Sequence, residues 1–276
     1  MLQWKKPIKI KVMSLIPKFY KDAVVSIGIR NIDGNISWIG TGFFAIRKID
    51  EDKGKPFLVT NKHVLEGHNG IVIRMKEKES DKLKIMDAIT KKGDTILYYI
   101  HDNPNIDIAV LPLDGAVIMQ HNLEFPSFDI DNNALSSTEL RESGVDEGTL
   151  IYMLGFTMGK VNQASGDPIC RLGCIARINE AQIQEEHNIL IDIQNFPGNS
   201  GSPIINKPEI VSIEGTPNLN RSVLVGIIHS YLPYEDKLIS AQTKKVVEIR
   251  TENSGLAYAH PVEYITEIID KVVPKM

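Results

Sequence analysis

Short apolar runs recur along most of the chain, and turn-forming residues separate them. In one such run Ile71, Ile73 and Met75 would lie on one face of a strand. Arg74 and Lys76 would lie on the other face, and this period of two is typical of a half-buried strand. The runs of this kind are 23–29, 39–46, 56–60, 70–75, 83–89, 106–113, 150–156, 169–178, 189–194, 202–206, 223–229 and 255–259.

A polar stretch from roughly 114 to 147 divides these runs into two equal sets of six. Regularly spaced short strands with few helices are typical of an all-β sandwich or barrel. The pattern therefore predicts two six-stranded antiparallel β-barrels. We place the N-terminal barrel at residues 20–118 and the C-terminal barrel at residues 140–260.

The C-terminal end breaks the strand pattern, because apolar residues recur there at helical spacing. Pro261 suits the first position of a helix, and Ile265 and Ile269 fall on one face. We expect an amphipathic helix over residues 261–273, packed on the second barrel. A second, short helix is predicted within residues 131–147.

Composition places the chain among ordinary globular proteins, with 42% hydrophobic and 24% charged residues. A net charge of -4 argues against nucleic acid as an obligatory partner, since phosphate binding needs a basic face. Lysines interrupt the first 20 residues, so they lack the apolar core of a signal peptide. No run approaches the roughly 20 apolar residues that span a bilayer. We therefore expect no membrane association.

Two cysteines, Cys170 and Cys174, provide no disulfide framework, which fits a reducing compartment. No second pair of ligands stands near them, so zinc binding is not expected and both should be packed thiols. These features predict a cytoplasmic protein without a metal or another cofactor.

The stretch FPGNSGSPI, residues 196–204, gathers turn-forming residues between two apolar runs. A simple hairpin loop would account for them. The turn could instead present Ser200 as a nucleophile. Because a serine hydroxyl reacts poorly until a positioned base removes its proton, the partners must be sought elsewhere in the chain.

His63 and Asp107 each stand where an apolar run meets a loop. Loops on a rigid scaffold commonly carry catalytic side chains. A carboxylate at the mouth of a buried strand also needs a hydrogen-bond partner, such as an imidazole N–H. Taken singly, a capping histidine and a turn aspartate would explain both. Together with Ser200 they have the order His, Asp, Ser, which is one of the known orders of a catalytic triad.

Rival residues fit this site less well. Asp102 lies in a polar turn with no strand directly after it, and His68 also lies in a polar turn. His101 and His121 stand in no matching motif. An α/β-hydrolase would need the motif Gly-x-Ser-x-Gly followed by a base, whereas this mainly β pattern has GNSGS.

Four motifs in order, GTGFF, TNKHVLEG, NIDIAVLPL and PGNSGSP, resemble those of the trypsin-like serine peptidases. Among the members of that family, the bacterial HtrA-type and glutamyl-endopeptidase-type peptidases have the most similar motifs. The resemblance extends over roughly residues 20–270, and VLVGIIHS is similar to the strand that pairs with substrate in that family. It implies two chymotrypsin-like barrels with a C-terminal helix. It also implies a serine endopeptidase that cleaves protein or peptide substrates through an acyl-enzyme.

The resemblance gives each residue of the site a role. Ser200 attacks the carbonyl, His63 transfers the proton, and Asp107 orients the imidazole. The N–H groups of Gly198 and Ser200 would bind the oxyanion. Asn199 stands where trypsin zymogens have an aspartate that pairs with a newly released N-terminus. Since asparagine cannot form this ion pair, we expect no such activation step.

The same resemblance places a P1 pocket among Gln194, residues 228–231 and Gly255. Gln194 is uncharged, which argues against a preference for Lys or Arg. His229 is similar to the histidine in the GIHWG pattern of glutamyl endopeptidases, but a shift of one position reverses its direction. The sequence leaves open whether the preferred P1 residue is acidic or neutral. It also leaves open whether His229 is only a hydrogen-bonded residue in the pocket wall beside Tyr231.

Residues 232–254 form a long connection between two pocket strands, with a hairpin pattern that turns near Thr243 and Lys244. Connections of this length are often functional. The segment is expected either to rim the cleft, to contact a regulatory partner, or to be a passive insertion. Resemblance alone does not establish activity. A latent protease-like module that binds a peptide or partner, and an esterase, are the alternatives to a peptidase.

Overall fold

The computed structural model describes residues 16–50, 53–80, 82–161, 165–209 and 215–273. Most of the N-terminal segment considered above for a signal peptide therefore lies outside the described residues. The elements of the N-terminal half are α1 (Lys18–Asp22), β1 (Val24–Arg30), β2 (Ile36–Lys48), β3 (Gly54–Thr60), α2 (Lys62–Leu65), β4 (Gly70–Lys76), β5 (Leu83–Ile89), β6 (Lys91–Lys92), β7 (Thr95–Ile96), β8 (Tyr99–Ile100), β9 (Ala109–Pro112), α3 (Gly115–Gln120) and β10 (Phe128–Asp129).

Two short helices occupy the connection between the halves, and the second half is again mainly β. Its elements are α4 (Ile130–Asn133), α5 (Ser137–Glu142), β11 (Leu150–Gly155), a 3₁₀ turn (Thr157–Gly159), β12 (Ile169–Arg177), α6 (Glu180–Glu186), β13 (Ile189–Asp192), β14 (Pro203–Asn206), β15 (Leu224–Ile239), β16 (Val246–Pro261) and α7 (Glu263–Val272). Within the described ranges no helix has the length and apolar character needed to cross a bilayer.

Six strands of the C-terminal half close into an antiparallel barrel in the order β11-β12-β13-β16-β15-β14. Side chains at alternate positions of these strands share one face, and those that face inward pack together. The resulting core includes Ile151, Met153, Ile191, Ile204 and Val225. The predicted six-stranded barrel is confirmed for this half.

The N-terminal half forms an open sheet in the order β5-β4-β1-β2-β3-β9-β8, with β10 parallel to β2. The pattern predicted a second closed six-stranded barrel, which the described residues do not show, since no pairing joins the end strands β5 and β8. The physical reason lies in the segment that follows β5. It first forms a separate small ribbon of β6 and β7, and then contributes only Tyr99 and Ile100 to the sheet.

One hydrophobic core joins the two halves. Phe43 and Val59 of the sheet pack in it with Leu154 and Ile227 of the barrel and with Ile265 of α7. The buried face of α7 carries its isoleucines, as the helical spacing predicted, and the C-terminal helix is confirmed. Because the sheet and barrel share this core, the loops at their adjacent edges are held against each other.

Arg47 of β2 is the largest fully buried side chain, and it links the sheet to two helices. Its Nη1 donates to Asp131 of α4 at 2.6 Å, and its Nη2 donates to Asp270 of α7. A buried guanidinium is costly unless carboxylates compensate its charge. The two ion pairs therefore hold both helices against the sheet.

We predict that Arg47→Met lowers the free energy of unfolding by about 3 kcal/mol, because it leaves two carboxylates without their cation. Arg30→Met is the matched control. Arg30 binds Asp87 at 2.9 Å, but both side chains are largely exposed, so its loss should change the free energy of unfolding far less. Chemical denaturation of the three proteins measures both values. Equal small losses would contradict the proposed role of Arg47.

Candidate active site

The sheet brings His63 and Asp107 together. Strands β3 and β9 are antiparallel neighbours with Thr60 opposite Ala109, so the residues after β3 meet those before β9. His63 Nδ1 lies 2.5 Å from Asp107 Oδ2, and the N–H of His63 donates to Asp107 Oδ1 at 3.0 Å. One carboxylate thus fixes both the ring and the backbone of His63.

Asp107 is held in turn through its own backbone. Its carbonyl accepts a hydrogen bond from Asn61 Nδ2 at 2.7 Å, and its N–H donates to His260 Nε2 at 2.9 Å. Burial raises the pKa of the Asp107 carboxyl, but the hydrogen bonds and charge of His63 outweigh burial and hold the pKa below its ordinary value. The carboxylate is therefore ionised at neutral pH. Because His63 donates to it through Nδ1–H, Nε2 of the neutral ring is the nitrogen that can accept a proton.

Ser200 reaches the same region from the C-terminal barrel. Its carbonyl accepts a hydrogen bond from the N–H of Thr41 at 2.9 Å. A Cβ added to Gly40 would lie 2.8 Å from Val64, the neighbour of His63, and 3.4 Å from the Ser200 carbonyl oxygen. Strand β2 thus contacts both α2 and the serine turn. Within the described residues no hydrogen bond joins Ser200 Oγ to His63.

The turn around Ser200 leaves two of its N–H groups without an acceptor. The N–H groups of Asn199, Gly201 and Ser202 donate to backbone carbonyls at 3.1, 3.0 and 2.8 Å. Among the described residues, no acceptor takes a hydrogen bond from the N–H groups of Gly198 and Ser200. Two free N–H groups that are two residues apart in one turn can bind an anion between them.

The 3₁₀ turn fixes the direction of the Gly198 N–H. The Pro197 carbonyl accepts a hydrogen bond from the N–H of Met158 at 2.6 Å. In a planar trans peptide the carbonyl and the next N–H point in opposite directions, so the Gly198 N–H points away from Met158. Gly198 has φ +93°, and a Cβ there would lie 2.5 Å from the Phe156 carbonyl oxygen. Only glycine meets both conditions without strain.

Thr41 connects this turn to the N-terminal sheet, a role that sequence reasoning missed. Its buried Oγ1 accepts a hydrogen bond from the Phe156 N–H at 3.0 Å and donates to the Gly198 carbonyl at 2.7 Å. Its own carbonyl accepts from Thr60 Oγ1 at 2.7 Å and would collide with any Cβ on Gly201, which has φ +87°. The only signal in the sequence was the threonine of GTGFF.

Asn199 faces the protein interior beside the 3₁₀ turn. Its Oδ1 accepts a hydrogen bond from Thr157 Oγ1 at 2.8 Å, and the residue is 1% exposed. Its side chain is thus already engaged by a neighbouring turn. The expectation that the protein needs no ion pair with a released N-terminus stays a prediction.

Two of the remaining histidines form a stacked pair behind Asp107. His260 accepts the Asp107 N–H at Nε2 and donates from Nδ1 to the His187 carbonyl at 2.8 Å, so its partners require a neutral ring. His229 stacks on it with ring centroids 4.1 Å apart, and its Nε2 lies 2.8 Å from Asn188 Oδ1. The sequence offered no pattern that linked His260 to Asp107.

Burial controls the protonation of this stacked pair. Desolvation, together with repulsion from His260, lowers the pKa of His229 to about 3. Desolvation lowers the pKa of His260 to about 4, against the opposing effect of its hydrogen bond to His187. Both rings are therefore neutral well below neutral pH.

The structure brings together some of the predicted pocket residues. Gln194 is exposed, and the preceding Ile193 N–H donates to the Gly255 carbonyl at 2.9 Å, so these two segments form one wall. Tyr231 lies on β15 opposite Ala257 and is 38% exposed. The ring of His229, in contrast, is committed to Asn188 and to the stack described above.

Asn195 is buried beside this wall, and sequence reasoning did not single it out. It is 4% exposed, its carbonyl accepts from Asn253 Nδ2 at 2.5 Å, and its Oδ1 has no partner among the described residues. Its position directly after Gln194 was the available signal.

Residues 40–209, which contain His63, Asp107 and Ser200, match the family model of the trypsin-like peptidase domain. The match covers more than half of the chain, and the chain belongs to this family. A comparison with curated proteins finds no match. The resemblance carried by the four motifs is thus confirmed at the level of the family. The likeness to HtrA-type and glutamyl-endopeptidase-type members stays a prediction.

The stacked histidines generate a prediction about pH. Because their pKa values are lower in the folded protein than the ordinary value of 6.5, the unfolded chain binds more protons between about pH 4 and 6.5. The free energy of unfolding should therefore fall as the pH drops through this range, by up to about 1.4 kcal/mol per pH unit for each histidine. His229→Phe, which keeps an aromatic ring in the stack, should remove one such contribution.

Urea denaturation from pH 4.5 to 7 measures these slopes. His121→Phe is the control for loss of an exposed histidine. Identical slopes for the wild type and His229→Phe would show that His229 is not buried in its neutral form.

Proposed function

We propose that this protein is a serine endopeptidase that uses Ser200, His63 and Asp107 to hydrolyse peptide bonds. The observation that carries this proposal is the bond between His63 Nδ1 and Asp107 Oδ2. This bond leaves Nε2 as the basic nitrogen of His63. His63 lies on α2, and β2 contacts both α2 and the serine turn. Membership of the trypsin-like peptidase family supports a hydrolase of this type. In this proposal the N-terminal sheet, residues 20–118, serves as the first of the family's two barrels. Residues 140–260 are the second, followed by the 261–273 helix.

The reaction begins when Ser200 Oγ attacks the substrate carbonyl and its proton passes to His63 Nε2. The N–H groups of Gly198 and Ser200 stabilise the negative charge on the carbonyl oxygen. When the tetrahedral intermediate collapses, the C–N bond breaks and His63 gives the proton to the leaving amine. A water molecule then attacks the acyl-enzyme by the same route and regenerates Ser200.

Asp107 contributes through its charge and its position. As an ionised carboxylate beside Nδ1–H, it stabilises the imidazolium formed during both steps and keeps the ring in the reactive tautomer. The pair needs no charge relay to do so. Because Asn61 and His260 hold its backbone, the carboxylate stays fixed while His63 changes charge.

For the substrate we propose a neutral P1 side chain. The wall formed by Gln194, Gly255 and Tyr231 carries no formal charge. The ring of His229 is bound to Asn188 and stacked on His260, so it is not free to receive a carboxylate. These contacts favour a neutral P1 residue over an acidic one.

One observation favours a second candidate function. Within the described residues Ser200 Oγ is not hydrogen-bonded to His63, as in a module that binds peptides without cleaving them. Hydrogen bonds of catalytic groups are, however, often loose before substrate arrives and tighten in the complex. A measurement of serine reactivity separates the two functions.

We predict that a fluorophosphonate probe labels the protein and that Ser200→Ala abolishes labelling, because Ser200 is the only activated hydroxyl in this proposal. Ser202→Ala is the matched control. Ser202 lies in the same turn but is fully buried, so its loss should leave labelling intact. Labelling that survives Ser200→Ala, or that disappears equally in Ser202→Ala, would contradict the assignment.

Cleavage of an unfolded protein by the same samples distinguishes a peptidase from an esterase. His63→Ala should lose activity by a factor similar to that of Ser200→Ala, since members of a triad act as a unit. Ester turnover without peptide cleavage would assign the esterase, and absence of both labelling and cleavage would assign the binding module.

A further prediction concerns Thr41. Thr41→Val removes the hydroxyl that positions the Gly198 carbonyl, and we expect kcat to fall by about 10²-fold with little change in KM, because misplaced oxyanion donors weaken only the transition state. Thr41→Ser keeps the hydroxyl and should keep most of the activity. Equal losses in the two variants would contradict the role assigned to the hydroxyl.

A further inference from the structure

Strands β15 and β16 continue far beyond the barrel as a two-stranded ribbon, residues 232–254. The hairpin predicted there is confirmed, with pairing from Pro233 opposite Asn253 to Ile239 opposite Val246. Between 233 and 252 every residue except Leu238 and Ser240 is exposed. Residues 233–252 therefore pack little on the rest of the described chain, and the base of the ribbon contacts it through Asn253, which donates to the Asn195 carbonyl.

One edge of the ribbon begins at the serine turn. The Gly201 N–H donates to the Ile228 carbonyl at 3.0 Å, and the Ile228 N–H donates to the Ser202 carbonyl at 3.0 Å. Strand β14 pairs with β15 only over Leu224–Ile227, so beyond Ile228 this edge of β15 has no strand partner among the described residues. From residue 230 to 239 it offers about 33 Å of strand edge without a partner among the described residues, with register shifts between Tyr231 and Pro233 and between Leu238 and Ile239.

The reaction chemistry decides which side of the substrate follows this edge. His63 gives its proton to the leaving amine, so the segment after the scissile bond lies on the side of α2 and the N-terminal sheet. The acyl segment before the scissile bond must then leave Ser200 on the other side, where β15 begins. The β15 edge is thus continuous with the path of the residues that precede the cleavage site.

The surface of the ribbon suits an extended polypeptide better than a strongly charged partner or a second copy. Four basic residues balance four acidic ones: Lys237, Lys244, Lys245 and Arg250 against Glu235, Asp236, Glu248 and Glu252. Charged side chains on an edge disfavour pairing with another copy of the same edge. Exposed apolar side chains on β15, at Tyr231, Tyr234 and Ile239, offer contacts to a strand added beside them.

We propose that the outer edge of β15, residues 230–239, binds up to about ten residues of substrate N-terminal to the scissile bond by adding them to the ribbon as a strand. This inference rests on the proposed function. Main-chain hydrogen bonds would supply most of the affinity, so the preferred substrates are long unstructured segments. A folded loop or a short peptide would use only the part of the edge next to Ser200.

The test uses peptides with one cleavage site and N-terminal flanks of three to twelve residues. In the full chain, kcat/KM should rise by about tenfold or more as the flank lengthens, because each added pair of main-chain hydrogen bonds strengthens binding of the substrate along the edge. A matched series lengthened on the C-terminal side should show no such rise. N-methylation of single amides along the flank should reduce cleavage at every second position, since alternate amides point toward the neighbouring strand.

A shortened variant removes the edge without touching the triad. Replacing residues 234–252 by Asn-Gly keeps the pair of Pro233 and Asn253 and closes it with a two-residue turn. This variant should cleave peptides with three-residue flanks as fast as the full chain and should lose the length dependence.

The outcomes distinguish a failure of the ribbon's proposed role from a failure of the proposed catalytic function. Cleavage in the full chain without length dependence, or length dependence that survives shortening, overturns the role of the ribbon alone. Loss of a dimer on shortening with unchanged kinetics assigns the ribbon to a second copy and also overturns it. Absence of cleavage and of probe labelling overturns the proposed function, and the ribbon's role falls with it.

Discussion

The site depends on how one residue, Asp107, is held at the junction of sheet and barrel. The carboxylate of Asp107 binds the ring and the backbone N–H of His63, while the backbone carbonyl and N–H of Asp107 draw their partners from both halves of the chain. His63 and Asn61 come from the sheet, and His260 comes from the last strand of the barrel. The requirement to satisfy Asp107 is therefore also a requirement that the halves dock in one orientation. This docking brings the serine turn to the same side of β2.

Thr41 and the shared hydrophobic core enforce the same orientation by different means. The core is non-directional and brings the halves together over a broad area. The hydroxyl of Thr41 is directional, because it must meet the Phe156 N–H and the Gly198 carbonyl at once. Burial supplies the stability, while these few polar contacts set the position of the turn.

Those parts of the fold that depend on local pattern were predictable from the sequence. Period-two runs located the strands of the closed barrel, and the isoleucine spacing located α7, because both patterns report which face is buried. Closure of the N-terminal sheet is not shown by the described residues, and it depends on a pairing between distant strands that no local pattern encodes. His63, Asp107 and Ser200 could be selected because each stands at the junction of an apolar run and a turn. Thr41 and His260 could not, because their roles arise from contacts between residues more than a hundred positions apart in the chain.

The exposed ribbon has a consequence for how such a protein can change over generations. Its side chains support no core and touch none of the groups that hold Asp107 or the serine turn. Substitutions there carry little penalty in folding, so this region is free to diversify while the reactive centre stays constant. Selectivity and chemistry are thereby placed under separate constraints within a single chain.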